Sequence, residues 1–229
     1  MDLTRRIDGY CERMSEAFWA EPINAVTNIA FIIAAVLVYL FARRMGRLDG
    51  PTLFLICNLT AIGIGSFLFH TFATVWAAMT DTIPILFFIL AYFAIAMRRF
   101  VGLSLRGSAI ATALLILALP AASGALRPLL LPVIGGSVSY VPALLMLLAV
   151  GTWLWRQGHE AGRNLIIGAG IFACSLTFRA LDQQLCDVFP GGTHFLWHIL
   201  NGTLLGFLIY TFILYGHGTT AMSRLRGTA

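Results

Sequence analysis

Polar side chains at helical spacing stand inside apolar stretches of this sequence. Ser66 and His70 are four residues apart, and Asp81 follows His70 after ten intervening residues. His194 and His198 are also four residues apart. In a helix such a pair shares one face, with about 6 Å between the two Cβ atoms. The pair can therefore bind one metal ion, and His70 can supply a third nitrogen.

Three histidine ligands leave one coordination position open, which is the arrangement of catalytic zinc. Zinc lowers the pKa of a bound water toward about 7 and can polarise a carbonyl. Asp81 is then the expected general base and later proton donor. Ser66 lies one turn before His70 on the same face, so its hydroxyl is expected to hydrogen-bond the developing oxyanion or the metal-bound water.

Each of these residues also has a purely structural interpretation. A single histidine in a membrane helix is commonly a hydrogen-bonded packing residue, and an isolated H-x-x-x-H pair is weak evidence of metal binding. The Ser66 hydroxyl could simply bond back to the preceding turn. Ionisable groups inside a membrane are functional by default, however. Three histidines and an aspartate together therefore predict a metal site.

The composition is that of an integral membrane protein. Of 229 residues, 59% are hydrophobic and 11% are charged, whereas a soluble domain carries about 25% charged residues. The formal net charge is +5, and all 15 basic residues are arginines. In so apolar a chain, this basic balance indicates membrane topology and no nucleic acid partner.

Runs of apolar residues long enough to cross a bilayer predict an all-α, seven-transmembrane helix bundle. The stretch from Thr52 to Met97 is too long for one crossing, so we expect it to fold back within residues 71–80. Prolines at 120, 128 and 132 interrupt the connection between the fourth and fifth spans. The predicted spans are about 22–42, 52–71, 81–97, 108–125, 138–155, 165–186 and 194–215.

The arginines predict the orientation of the bundle. The positive-inside rule places the loops that carry them in the cytoplasm, with the N-terminus outside and the C-terminus inside. The opposite loops hold almost no arginine beyond Arg127. Ten arginines follow the first, third, fifth and seventh spans: Arg43, Arg44, Arg47, Arg98, Arg99, Arg106, Arg156, Arg163, Arg224 and Arg226.

This topology divides the chain and sets the depth of the candidate site. Residues 1–21 form an extramembrane segment, residues 22–216 the helical domain and residues 217–229 a cytoplasmic tail. Ser66 and His70 fall near the outer end of the second span, Asp81 at the outer start of the third, and both other histidines in the outer half of the seventh. We therefore expect a multi-pass protein of a bacterial inner (plasma) membrane, with its site in the outer half of the bilayer.

Four segments of the chain resemble one known family. They are GYCE at 9–12, EPINAVTN at 21–28, GIGSFLFH at 63–70 with DTIP at 81–84, and HFLWHILNG at 194–202. With the S-x3-H, H-x10-D and H-x3-H spacings, they resemble the alkaline ceramidases. These are members of a wider group of seven-helix membrane hydrolases that includes the adiponectin-type receptors. The resemblance covers nearly the whole chain.

The resemblance implies a zinc amidase that cleaves the amide bond of a ceramide-like membrane lipid to a sphingoid base and a fatty acid. The zinc ligands would be His70, His194 and His198, with Ser66 and Asp81 as the supporting pair. No obligate protein partner is expected.

The family also carries a calcium site around the N-terminal segment. Glu12 and Glu21 match positions that contribute to it. A third acidic ligand of the family falls on Gly9 in this sequence, with Asp8 one residue away, and the neighbouring asparagine-type position is Met14. Backbone carbonyls can also bind calcium. The alternative is an acidic N-terminal segment that is simply solvated.

Two structural pairings are also expected. Cys11 and Cys186 both fall on the outer side, where oxidation is permitted, and resembling proteins tie the N-terminal segment to this place, so the resemblance implies a Cys11–Cys186 disulfide. Arg179 and Asp182 are three residues apart near the outer end of the sixth span. They are expected to form an internal ion pair between helices; the alternative is that they bind a polar headgroup.

Three classes of function compete. The first is the zinc-dependent amidase, acting on ceramide-like lipids or on another acylated lipid amide. The second is a receptor or sensor that contains the metal but has little or no turnover. The third is a retinal-binding or transport protein. A retinal Schiff base needs a lysine, which this sequence lacks, and no internal duplication of the transporter kind is evident. Ser66 and Asp81 beside three histidines favour the amidase.

Overall fold

The chain folds into a bundle of α-helices joined by short turns. The computed structural model describes residues 2–217, and within them no β-strand forms beyond one isolated bridge between Arg6 and Thr74. A short 3-10 helix at Gly135–Tyr140 separates α5 from α6. The α-helices are α1 (Pro22–Thr27), α2 (Ile29–Arg44), α3 (Gly50–Phe72), α4 (Val75–Arg99), α5 (Leu105–Ile134), α6 (Val141–Arg156), α7 (Glu160–Leu181) and α8 (His194–Tyr215).

The helices have the length and composition of membrane spans. Six helical segments of the described chain are long and apolar enough to cross a bilayer, and one of them, Leu105–Arg156, contains both α5 and α6. Large apolar side chains stay exposed along this pair, including Leu117, Leu129 and Leu145. An outward apolar surface of this extent needs an apolar solvent. The all-α membrane class is therefore confirmed. The first residue of the predicted tail, His217, is described; residues 218–229, with Arg224 and Arg226, lie outside the described part.

The turn expected within residues 71–80 is present. α3 ends at Phe72, Ala73 takes a left-handed backbone conformation with φ of 47°, and α4 begins at Val75. The third span was predicted to start at Asp81, which is wrong. Residues 75–80 are apolar or small enough to continue the helix, and Ala77 is fully buried. Asp81 therefore lies nearly two turns inside α4.

The prolines near residue 130 do not end α5, contrary to the sequence expectation. The helix continues through Pro120, Pro128 and Pro132 as far as Ile134. Each proline removes one backbone hydrogen bond, and all three side chains face outward. Membrane helices tolerate such losses because local adjustments satisfy the freed carbonyls. The helix stops instead at Gly135, where φ is 54°.

Small residues bring the helices of the bundle into close contact. A Cβ atom built on Gly65 of α3 would lie 1.9 Å from the carbonyl oxygen of Thr80 on α4. A Cβ on Gly202 of α8 would lie 2.9 Å from the backbone of Ala30 on α2. Close approach at small residues is the usual way membrane helices pack. These contacts join α3 to α4 and α8 to α2, and α3 also packs against α8. The helices α3, α4 and α8 carry the predicted site.

The N-terminal segment, residues 2–21, lies across the turn between α3 and α4. The Ile7 backbone N–H donates to the Ala73 carbonyl at 2.8 Å, and the Val75 N–H donates to the Arg5 carbonyl at 3.1 Å. The segment thus covers the end of the bundle at which α3 ends and α4 begins.

Candidate metal centre

The three predicted histidines meet in the interior. His70 comes from the last turn of α3, and His194 and His198 from the first two turns of α8. Each is at most 2% exposed. One ring nitrogen from each lies within 4.8 Å of those of the other two, so the group can hold a metal ion. The i, i+4 spacing on α8 is what turns both of its rings toward α3.

The other ring nitrogens of two of these histidines are held by neighbouring side chains. The Glu21 carboxylate accepts a hydrogen bond from Nδ1 of His70 at 2.6 Å. Thr27 Oγ1 shares a hydrogen bond of 3.0 Å with Nδ1 of His198. Such partners orient metal-binding imidazoles and are typical of metal sites.

The remaining nitrogens of the trio have no partner. Nε2 of His70, Nδ1 of His194 and Nε2 of His198 are buried without a hydrogen bond within the described residues. Buried polar atoms in native proteins are almost always paired. Each of the three clustered imidazoles thus has a buried nitrogen without a partner, which fits a bound cation, and the donor set matches divalent transition metals such as zinc.

Ser66 and Asp81 lie beside the histidines. Ser66 is buried one turn before His70, and Asp81 is partly buried on α4, with the Ser66 hydroxyl next to its carboxylate. The close contact between Gly65 and Thr80 brings these two residues together across the helix pair. The five predicted site residues are thus neighbours although they come from three helices: Ser66, His70, Asp81, His194 and His198.

An apolar cavity opens beside this cluster. Ser66, Asp81 and Asn201 form its polar end. Its other end reaches Tyr92, whose hydroxyl donates to the Leu208 carbonyl at 2.9 Å. Between the two ends the wall is aromatic and aliphatic, with Phe31, Ile62, Phe88, Leu147, Phe172 and Leu204 among its residues. The cavity has the character of a site for a hydrocarbon chain.

A second cavity lies on the other side of Asp81 and is more polar. We call it the polar cavity. Its wall includes Tyr10, Asp81, Ser137, Tyr140, Arg179 and Trp197. Asp81 lines both cavities, so the cluster stands between an apolar and a polar space.

The predicted Arg179–Asp182 ion pair does not form. The described residues show no salt bridge between the two side chains. Arg179 points into the polar cavity, and Asp182 points toward the N-terminus of α8. The reason is geometric: Asp182 lies just beyond the end of α7, so its side chain does not continue the helix face that carries Arg179.

Asp182 instead receives backbone hydrogen bonds. Its carboxylate accepts from the N–H groups of Thr193 at 2.7 Å, His194 at 2.9 Å and Cys11 at 3.0 Å. A carboxylate is favoured at a helix N-terminus by the unpaired N–H groups and the helix dipole. Asp182 thus fixes the first turn of α8 and with it His194.

The disulfide implied by the resemblance is present. Cys11 and Cys186 are bonded, with a Cα–Cα distance of 5.2 Å. This bond and the Cys11–Asp182 contact hold the N-terminal segment against the loop that precedes α8. The segment is thereby fastened over the histidine cluster.

The expected calcium ligands do not converge. Asp8 is exposed. Glu12 accepts hydrogen bonds from the backbone N–H groups of Ile23 at 2.6 Å and Asn24 at 2.8 Å, at the start of α1. Among the described residues, only the histidine trio forms a group able to hold a metal ion. The geometry of these side chains therefore gives the calcium site no support, and the site stays a prediction.

Arg13 is a buried arginine beside Glu21, one of the predicted calcium ligands. The Arg13 guanidinium is bonded to the Glu21 carboxylate and also donates to the carbonyls of Ser15 at 3.2 Å and His70 at 3.0 Å. Burial raises the pKa of Glu21, but the hydrogen bond from His70 and the charge of Arg13 outweigh burial and hold that pKa below its ordinary value. The carboxylate is therefore anionic and already paired.

Sequence reasoning assigned no role to Arg13, Thr27 or Tyr10. Tyr10 stacks its ring on the imidazole of His194 with 3.7 Å between centroids, and burial raises its pKa above the ordinary value. Tyr10 and Thr27 do lie in the two N-terminal motifs that were recognised. Nothing local in the sequence shows that Arg13 is buried, since it stands in a polar stretch.

The comparisons agree with the geometry. A family model described as Ceramidase matches residues 6–226 and so spans all four motifs. No curated protein matches the chain.

Proposed function

The chain belongs to the ceramidase family, and from this membership we propose that it is a zinc-dependent intramembrane amidase that hydrolyses ceramide-like lipids to a sphingoid base and a fatty acid. Membership supports hydrolysis of an amide bond. One observation carries the rest: three clustered histidines, each with a buried nitrogen that has no partner, lie beside Ser66 and Asp81 at the polar end of an apolar cavity.

His70, His194 and His198 would hold the zinc ion. When bound there, zinc polarises the amide carbonyl and makes water more acidic. Glu21 and Thr27 hold the rings of His70 and His198 in the orientation that leaves Nε2 free for the ion.

Asp81 and Ser66 act on the substrate itself. Asp81 takes a proton from the attacking water and returns it to the leaving amine nitrogen, so one carboxylate acts as base and then as acid. The Ser66 hydroxyl donates a hydrogen bond to the oxyanion that develops on the amide carbonyl. Their placement next to each other matches these two roles.

The apolar cavity binds the acyl chain. An extended chain leaving the amide at Ser66 and Asp81 would run along Phe88 and Leu147 toward Tyr92. Asp81 and Tyr92 are eleven residues apart on α4, so they are separated by about 16 Å along the helix axis. Tyr92 closes the inner end by its bond to α8.

We also propose the seven-span topology. The segment Leu105–Arg156 has 52 residues and would measure about 78 Å as one helix, against a hydrocarbon core of about 30 Å. It therefore crosses twice, as α5 and α6, which makes seven crossings. The arginine distribution then places residues 1–21 outside, residues 22–216 in the bacterial inner membrane and residues 217–229 in the cytoplasm.

The proposal is tested by purifying the protein, measuring its zinc content and assaying fatty-acid release from ceramide. We expect stoichiometric zinc and hydrolysis in the wild type. The variant His194→Ala should lose both. The matched control is His159→Asn. His159 caps the start of α7, and asparagine can keep that capping role. The start of α7 is about 33 Å along the helix axis from the end that carries Arg179.

The outcomes separate the alternatives. Active wild-type protein with almost no zinc would reject the mechanism. Stoichiometric zinc with no hydrolysis of any N-acyl lipid would favour a receptor or sensor. Hydrolysis of another acylated amine, but not of ceramide, would keep the chemistry and change the substrate. Loss of activity in His159→Asn would show that the assay reports folding and not the site.

A further inference from the structure

Arg179 is a partly buried cation that has no anionic partner among the described residues. Its guanidinium lies over the rings of Tyr140 and Trp197, with its central carbon 5.3 Å and 5.5 Å from their centroids. One of its nitrogens donates to Ser137 Oγ at 2.7 Å. Within residues 2–217, no carboxylate forms a salt bridge with it.

This arrangement leaves most of the guanidinium available to a ligand. Arginine has five N–H donors in a fixed fork, of which one goes to Ser137 and another to the Tyr10 hydroxyl. A buried charge is stabilised when it is paired, and charges within a membrane protein usually mark a ligand or ion site. The two aromatic faces hold the guanidinium in place by cation–π contact, so its free edge is pre-oriented.

The free edge faces the polar cavity, and this cavity adjoins the catalytic cluster. Arg179 and Ser137 line it together with Asp81, which also lines the apolar cavity. A lipid whose amide lies at the histidines and whose acyl chain fills the apolar cavity would therefore place its headgroup in the polar cavity. The headgroup is the part of the substrate that Arg179 can reach.

We propose that Arg179 binds an oxyanion on the headgroup, so that the preferred substrate is an N-acyl lipid with an anionic headgroup and not neutral ceramide. The inference rests on the proposed function. A guanidinium forms two parallel hydrogen bonds to a phosphate, sulfonate or carboxylate. A neutral hydroxyl, such as that of ceramide, cannot form an ion pair with it. The Tyr10 hydroxyl, which also interacts with Arg179, and Ser137 complete the polar surroundings.

The test compares palmitoyl ceramide with its 1-phosphate, which has the same acyl chain. We expect wild-type KM to be lower for the phosphate by about ten- to a hundred-fold, the range for hydrogen bonds to charged groups. Arg179→Gln should remove this difference by raising KM for the phosphate. Arg179→Lys keeps the charge without the fork, so it should retain part of the preference.

The matched control is Arg127→Gln. Arg127 is an exposed arginine of α5, and the end of α5 contacts the end of α7 through a hydrogen bond from Gln184 to the Val133 carbonyl at 2.9 Å. The control therefore removes one positive charge from the same end of the bundle. It should keep the preference for the phosphate. Melting temperatures of all variants report whether each one folds.

A binding measurement on the His194→Ala variant makes the result independent of turnover. Ceramide 1-phosphate should bind this variant more tightly than ceramide, and adding Arg179→Gln should abolish the difference. Equal affinities of the His194→Ala variant for the two lipids would overturn the inference. An equal fall in kcat for both lipids in Arg179→Gln would also overturn it, because it would indicate that Arg179 acts in the reaction step. If the wild type hydrolyses neither lipid, the proposed function fails, while the binding comparison still decides the inference.

Discussion

Replacing Gly65 by alanine should impair catalysis without removing the metal. Gly65 is where α3 and α4 come closest, one residue before Ser66 and opposite the backbone that leads into Asp81. A methyl group at this position would lie 1.9 Å from the Thr80 carbonyl oxygen and 3.2 Å from the Asp81 nitrogen. Both atoms are backbone, so no side-chain rotation can relieve the contact.

The size of the effect follows from the displacement. Ordinary contact begins near 3.4 Å, so α4 must move away from α3 by about 1.5 Å at Thr80 if α3 stays in place. A misplacement of about 1 Å can cost roughly 100-fold in rate, and overpacking destabilises by about 1–3 kcal/mol. We therefore expect kcat to fall by about 100-fold and the melting temperature to fall modestly. The histidines lie on α3 and α8, so zinc should stay bound.

The assay measures kcat, zinc content and melting temperature of the same preparation. Gly170→Ala on α7 is the matched control, because nothing lies within 4 Å of a Cβ atom there. It should be fully active, and it gains helix propensity. Wild-type kcat in Gly65→Ala would refute the reasoning that the helix contact positions Asp81. Loss of zinc would show that the contact supports the histidines instead.

Of four further predictions, three concern the N-terminal segment and one concerns a helix cap. Reduction of the disulfide should destabilise the protein by about 2–5 kcal/mol, because the bond joins residues 175 apart in sequence; an unchanged melting temperature with reductant would contradict this. Arg13→Met should destabilise by about 3–5 kcal/mol, since it removes the arginine partner of the buried Glu21 carboxylate. Calcium chelation should not change the wild-type melting temperature, and a calcium-dependent shift would restore the calcium site. Burial raises the pKa of Asp49, but the hydrogen bonds from Thr52 and nearby cations outweigh burial and hold the pKa below 3.8. The stability that Asp49 contributes by capping α3 is therefore complete above pH 3.8 and is lost as the pH falls below the lowered pKa. In thermal melts at graded pH, Asp49→Ala should lack this fall in melting temperature.

The histidine cluster shows which features of the site could be predicted from the local sequence. The i, i+4 spacing of His194 and His198 specifies one helix face whatever the rest of the chain does, because the helical period is a property of neighbouring residues. The lengths of apolar runs likewise predict helices and their turns. The relation of Ser66 and His70 to Asp81 follows from two antiparallel helices joined by a two-residue turn.

Helix ends were predicted less well, for a physical reason. The starting point of α4 depends on whether residues 75–80 are buried against α3, and that burial depends on Gly65. The continuation of α5 past its prolines depends on their side chains facing outward from the bundle, and the residue type alone does not reveal which way they face. Both are consequences of packing, and neither is visible in a single stretch of sequence.

The partners of the charged residues were decided by the tertiary structure alone. Asp182 is three residues from Arg179, yet it accepts from Cys11, which is 171 residues away in sequence. Glu21 pairs with Arg13 and His70, where a calcium ion had been expected. A charge inside an apolar bundle interacts with whichever donors the fold brings within hydrogen-bonding distance. The sequence by itself therefore determined which residues share a helix face, whereas the packing of distant segments determined which carboxylate caps a helix, which orients a metal ligand and which arginine stays free for a substrate.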